Sequence, residues 1–128
     1  MMGSAVVTGY RIYFNTRYKC LTSMFMLHNE TVNIWTHLFG FLAFLALAVC
    51  SIHMLFDNNL TPMPVWPLLM HAIGGAFMLG ASATYHTLNC CSKSDNEKGQ
   101  SCDYAGIAVM IAASATPPFY YGFKCPEV

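Results

Sequence analysis

Three stretches of this chain run for the length of a bilayer-crossing helix with almost no formal charge. Trp35 to Phe56 contains no Asp, Glu, Lys or Arg, and only His37 and His53 interrupt it as titratable groups. Val65 to Asn89 is equally free of those four residue types, and Asp103 to Phe123 opens on its one acid and is uncharged thereafter. A hydrocarbon core about 30 Å thick takes about 20 helical residues to cross, and each stretch is long enough. Composition agrees, with 55% of residues hydrophobic and 9% charged against about a quarter charged in soluble domains. A small soluble all-α domain is the competing fold, but 128 residues offer too little polar surface to cover three such helices. A cleaved signal peptide fits no better, because the first apolar run follows polar sequence and is too long for an h-region.

The expected fold is therefore an all-α membrane protein. It would consist of an N-terminal segment 1–34, a first span 35–56, a connection 57–64, a second span 65–89, a connection 90–102, a third span 103–123 and a tail 124–128. Lys and Arg in short flanks set orientation. The N-terminal flank carries Arg11, Arg17 and Lys19, the first connection has no basic residue, the second has Lys93 and Lys98, and the tail has Lys124. This alternation predicts a cytoplasmic N-terminus, an outer first loop, a cytoplasmic second loop and an outer tail. The sequon at Asn29 would then stay unmodified on the cytoplasmic side, and the one at Asn59 lies in an outer loop too short to favour glycosylation.

Packing cues follow the same frame. Ala72, Ala76, Gly80 and Thr84 recur every fourth residue and form a small-residue seam through which a neighbouring backbone can approach. The third helix is expected to end near Pro117-Pro118, a pair that should kink or loosen its outer end. Pro62, Pro64 and Pro67 mark the outer loop and the first turn of the second span. Ser101 is the expected cap of the third helix. Met24-Phe25-Met26-Leu27 interrupts polar sequence and suits a helix lying on the inner membrane face.

The residues with chemical potential cluster near the predicted cytoplasmic ends. Glu30, Asn33 and His37 follow i, i+3, i+7 spacing, one stripe of a helix. Polar groups entering a bilayer need partners in place of water, so this stripe should meet other helices. Ser82 and His86 are i, i+4 and share a face, and Asp103 opens the third span at a similar depth. An imidazole with a nearby carboxylate suits zinc, directly or through water, but catalytic zinc takes three protein ligands. Spacing alone favours the plainer reading, in which His86 is an interhelical hydrogen-bond partner and Asp103 a helix-start residue.

Other candidates carry less. His53 and His71 sit toward the outer halves of their spans, and His28 precedes the first. The nine methionines read as adaptable apolar filler. Cys90, Cys91 and Cys102 should face the cytoplasm, where thiols stay reduced. His86 with Cys90 as half of a soft-metal site, or palmitoylation of Cys90 or Cys91, compete with plain free thiols, the better default.

Several motifs resemble the progestin and adipoQ receptor family. They are Gly9-Tyr10-Arg11; Ser23 through Glu30-Thr31-Val32-Asn33-Ile34-Trp35-Thr36-His37; Ser82-Ala83-Thr84-Tyr85-His86; Asp103-Tyr104-Ala105-Gly106-Ile107; and Pro117 through Cys125. The adiponectin-receptor branch looks closest. The resemblance implies a seven-helix bundle with a cytoplasmic N-terminus and a zinc ion near the cytoplasmic side. His86 matches the ligand from the second helix, and Asp103 matches the carboxylate that orders the zinc-bound water. The other two ligands come from an H-x3-H pair on the seventh helix of that family, which this sequence does not contain. Ser82 and the Glu30, Asn33, His37 set match further polar positions of the family motif.

The expectation is therefore the N-terminal portion of a longer receptor, with an incomplete zinc site of its own. Its activity would be reception of an adiponectin-like or steroid ligand, ceramidase-type hydrolysis of a ceramide substrate with Asp103 as proton acceptor, or both. The alternative is a short membrane-anchored interaction module, without catalysis, that pairs with other receptor copies through the seam. No nucleic-acid partner is expected. The plasma membrane is the family-based location, with Golgi or endoplasmic reticulum for other branches.

Overall fold

The computed structural model describes residues 9–57 and 64–123, so the Asn59 sequon, most of the first connection and the tail with Lys124 lie outside it. The described residues form four helices: α1 (Arg17–Ser23), α2 (Thr31–Phe56), α3 (Trp66–Leu88) and α4 (Lys93–Gly122). α2 and α3 are long and apolar enough to cross a membrane. At 1.5 Å per residue they extend for about 39 and 35 Å.

α3 is the central helix. It packs against α1, α2 and α4, while α2 and α4 do not meet one another among the described residues. Glycine makes these approaches close. A Cβ at Gly75 would overlap the Phe44 ring on α2, and one at Gly74 would overlap the Ala113 side chain on α4. Gly106 of α4 in turn faces the Met78 backbone. The expected seam is only partly used: Ala72 is fully buried and Gly80 faces Phe41. Ala76, Gly80 and Thr84 line an open groove of ≈ 480 Å³ between the helices. At the far end, Tyr121 donates to the Pro64 carbonyl (2.6 Å) and Trp66 meets Tyr120 edge-on, tying the start of α3 to the end of α4.

Four expectations need correction. The connection assigned to 90–102 is mostly helix, because α4 already begins at Lys93. Its cap is Ser92, whose hydroxyl accepts from the Asp95 amide (3.0 Å) and donates to the Asp95 carboxylate (2.7 Å), a side-chain N-cap. Ser101, the expected cap, sits inside the helix and donates to the Glu97 carbonyl. The short helix before the first span is Arg17–Ser23, capped by Thr16, and ends where the Met24–Leu27 helix was expected to begin. Finally, α4 does not end near Pro117 and Pro118 but continues through both to Gly122.

The ends of the elements define a polar pole. The N-terminal segment, the start of α2, the end of α3 and the start of α4 gather at one end, held by contacts among Arg11, Glu30, His86 and Asn89.

Candidate functional site

Arg11 organises this pole. Its side chain comes from the extended segment before α1, yet the residue is only 7% exposed. Nη1 donates to the Thr87 carbonyl (2.8 Å) and Ser23 Oγ (3.0 Å), and Nη2 to the His86 carbonyl (2.7 Å) and Asn89 Oδ1 (2.8 Å). The last carbonyls of a helix have no intrahelical donors. A guanidinium there satisfies them and opposes the negative end of the helix dipole.

Glu30 is the second centre. It is the N-cap residue of α2 but makes no side-chain capping bond, so its carboxylate is free to turn toward α3. Oε2 accepts from Asn33 Nδ2 (2.9 Å) and pairs with His86 Nδ1 (2.8 Å), while Oε1 accepts from Asn89 Nδ2 (3.2 Å). The Glu30 and His86 side chains are each 17% exposed. Burial acts to raise the Glu30 carboxyl, but the hydrogen bonds from Asn33, His86 and Asn89 prevail and hold it below the usual carboxylate value.

The stripe of Glu30, Asn33 and His37 is thus turned toward the end of α3. The His37 and His86 rings stand 5.6 Å apart, and His37 Nδ1 is buried without a hydrogen-bond partner. Ser82 is buried one turn before His86. Asp103 lies on α4 with its side chain half-buried. Its side chain makes no hydrogen bond to His86 or Ser82 among the described residues. Among the described residues no group of three or more His, Cys, Asp or Glu is arranged to hold a metal. The donor set nevertheless suits one ligand: a carboxylate on Nδ1 fixes the ring and leaves Nε2 as the remaining nitrogen, the form that metal-binding histidines take.

Three members of the network escaped the sequence reading. Arg11 counted only as a flanking charge and a motif residue, Asn89 as the end of an apolar run, and His28 as a residue before the span. His28 Nδ1 accepts from the Glu30 amide (3.1 Å) and Nε2 bonds the Ser23 carbonyl (3.0 Å), which assigns the proton to Nε2. Burial first, and then the Arg11 charge, lower the His28 imidazole below its ordinary value against the Ser23 bond and Glu30. The available signal was position: helix ends in an apolar setting need polar partners, and these residues flank such ends.

An all-helical fold with long apolar helices and a polar network at one pole defines a class of helical membrane proteins. Within it, a family model described as Haemolysin-III related matches residues 25–128, and the chain belongs to that family. It is 39% identical over 111 residues to Heptahelical transmembrane protein 1 of Arabidopsis thaliana, covering 80% of this chain and 33% of the relative. It is 38% identical over 112 residues to the Adiponectin receptor protein of Drosophila melanogaster, covering 83% and 24%. A third relative, Progestin and adipoQ receptor-like protein 1 of Caenorhabditis elegans, is 38% identical over 107 residues, covering 84% and 24%. The chain spans about a quarter to a third of the length of these three relatives. The motif-based resemblance to the progestin and adipoQ receptors holds.

Proposed function

We propose that this chain supplies three membrane-spanning helices of a seven-helix receptor of the adiponectin- and progestin-receptor type, with the polar pole on the cytoplasmic side. Arg11, Arg17, Lys19, Lys93 and Lys98 all belong to the segments at that pole, the distribution favoured on a cytoplasmic face. The third span would be the part of α4 from Asp103 onward. The exposed Phe39, Leu42, Leu45, Val49 and Ile52 of α2 suit lipid or further helices. The receptor's ligand would be an adiponectin-like protein or a steroid, and its membrane the plasma membrane ahead of Golgi or endoplasmic reticulum.

The same reading gives the polar pole a zinc-dependent role, and the Glu30–His86 pair carries it. His86 would hold zinc through Nε2, with further ligands from outside the described residues. Zinc bound there would supply a Lewis acid to a ceramide-type amide carbonyl. Glu30 keeps the His86 ring oriented, Asp103 is the proton acceptor for the attacking water, and Ser82 offers a hydroxyl one turn from His86. The test is hydrolysis of a short-chain fluorescent ceramide by the purified full-length protein. Asp103→Asn is expected to reduce turnover by about a hundredfold or more. A wild-type protein that carries zinc and releases no fatty acid would remove the hydrolase role.

A second reading is a membrane-anchored interaction module that pairs with other receptor copies. The open groove beside Ala76, Gly80 and Thr84 favours it over a seam wholly consumed inside the fold. Co-purification of two differently tagged copies, weakened by Gly80→Leu, is the outcome this reading expects.

A further inference from the structure

Three thiols converge where α1 meets the turn between α3 and α4. Cys20 Sγ lies 3.5 Å from Cys90 Sγ, 70 positions away in the chain, and 3.2 Å from the Phe14 carbonyl. Cys91 is near enough to act on both Cys20 and Asp95. Cys20 is fully buried. Cys90 is partly open, at the boundary of two surface pockets of ≈ 270 and ≈ 400 Å³, the first shared with Arg11 and Glu30 and the second with Lys93 and Glu97. A small polar oxidant can therefore reach Cys90 and not Cys20.

We propose that Cys20 and Cys90 form a reversible disulfide driven by a peroxide, with Cys90 as the attacked thiol and Cys20 as the resolving one. The sulfurs must close from 3.5 Å to a bond of about 2.05 Å, a shift of less than about 1 Å for each. The movement is small for α1, a seven-residue helix that packs on α3 and is joined to α4 by the Arg17–Asp95 ion pair at the surface. In the first step the Cys90 sulfur attacks one peroxide oxygen, the O–O bond breaks, and Cys90 sulfenic acid and water form. In the second, the Cys20 sulfur attacks the Cys90 sulfur, the S–O bond breaks, and hydroxide takes the thiol proton and leaves as water. Two thiols lose two electrons in total and one peroxide becomes two waters. Burial, and then Cys90 and Cys91, push the Cys20 thiol up to about 12, which keeps it protonated and makes its attack on Cys90 the slower of the two steps. Intracellular disulfides are characteristically transient and redox-sensing.

The bond would clamp the N-terminal segment onto the end of α3. Cys90 adjoins Asn89, which holds both Arg11 and Glu30, so the clamp would act on the polar pole directly. This inference goes beyond the receptor and hydrolase readings and rests on the first only for the cytoplasmic side of the pole.

The test is thiol counting on the purified full-length protein treated with hydrogen peroxide, denatured, and labelled with a maleimide that adds mass. Trypsin has no site between Cys20 and Cys90, so chymotrypsin is used to separate and identify the peptides. The expected result is joint loss of label from Cys20 and Cys90 in a 1:1 ratio, restored by a thiol reductant. Cys20→Ser should leave Cys90 as a sulfenic acid that dimedone traps, and Cys91→Ser should leave the pairing intact. Loss of Cys90 label with Cys20 still labelled in the wild type would overturn the proposal, as would pairing that survives Cys90→Ser but not Cys91→Ser. Full labelling of both cysteines after peroxide would also overturn it.

Discussion

Glu30 and His86 stand 56 positions apart in the chain and 2.8 Å apart in the fold. Each occupies the helix end that suits it. The carboxylate lies at the N-terminus of α2 and the imidazole in the last turn of α3, where the helix dipoles favour an anion and a hydrogen-bond donor respectively. Around them, Arg11, Asn33 and Asn89 supply the remaining donors, so the pole is closed by bonds from three segments of the chain.

Removing the Glu30 carboxylate should therefore loosen the pole. Glu30→Ala leaves donors on Asn33, His86 and Asn89 without their acceptor, at a cost of about 1–3 kcal/mol. Glu30→Gln keeps an acceptor oxygen and should cost less. Thermal unfolding in detergent checks the order, and equal midpoints for Glu30→Ala and wild type would speak against the network.

Arg11→Lys should be nearly as damaging as Arg11→Ala. Lysine keeps the charge but lacks the planar fork that bonds two carbonyls, a hydroxyl and an amide together. A loss of about 2 kcal/mol is expected for either change. Recovery of wild-type stability by lysine would reduce Arg11 to a point charge.

Acid should weaken the pole in two stages. The folded value of His28 is lowered from 6.5, so its contribution is complete above 6.5 and declines as pH falls from there through the folded value. The folded value of Glu30 is lowered from 4.5, so its contribution is complete above 4.5 and is lost as pH falls further. A stability profile between pH 7 and pH 3 checks this, with the upper stage reduced in His28→Asn.

Much of the scaffold was legible because lipid-length apolar runs admit few folds. The Trp35–Phe56 and Val65–Asn89 runs became α2 and α3 within a few residues at each end. The start of α4 was misplaced because Lys93 to Gln100 is polar and reads as a loop, although Ser92 followed by Asp95 carries a capping signal. Spacing placed Glu30, Asn33 and His37 on one stripe and His86 on another. It could not join them, since the register between α2 and α3 is set by Gly75 against Phe44 and Gly80 against Phe41. Arg11 was illegible as a site residue because its burial depends on a tertiary contact with the end of α3, and no local pattern encodes that.

The glycine contacts give a contrast of their own. Gly75→Val should force α2 and α3 apart at Phe44, and Gly74→Val should do the same to α3 and α4 at Ala113, each at a cost of about 1–3 kcal/mol. Nothing lies within 4 Å of a Cβ at Gly122, so Gly122→Ala should be neutral or slightly stabilising. Comparative thermal unfolding of the three variants checks the ranking.

The most direct test of the zinc role is metal content by mass spectrometry on the purified full-length protein, alongside His86→Ala and Glu30→Ala. One zinc per wild-type chain is expected, with loss in His86→Ala and weaker retention in Glu30→Ala, about 10- to 100-fold in affinity. Zinc retained at full stoichiometry and affinity in His86→Ala, or absent from the wild type, would contradict the assignment and leave Glu30–His86 as a purely structural pair.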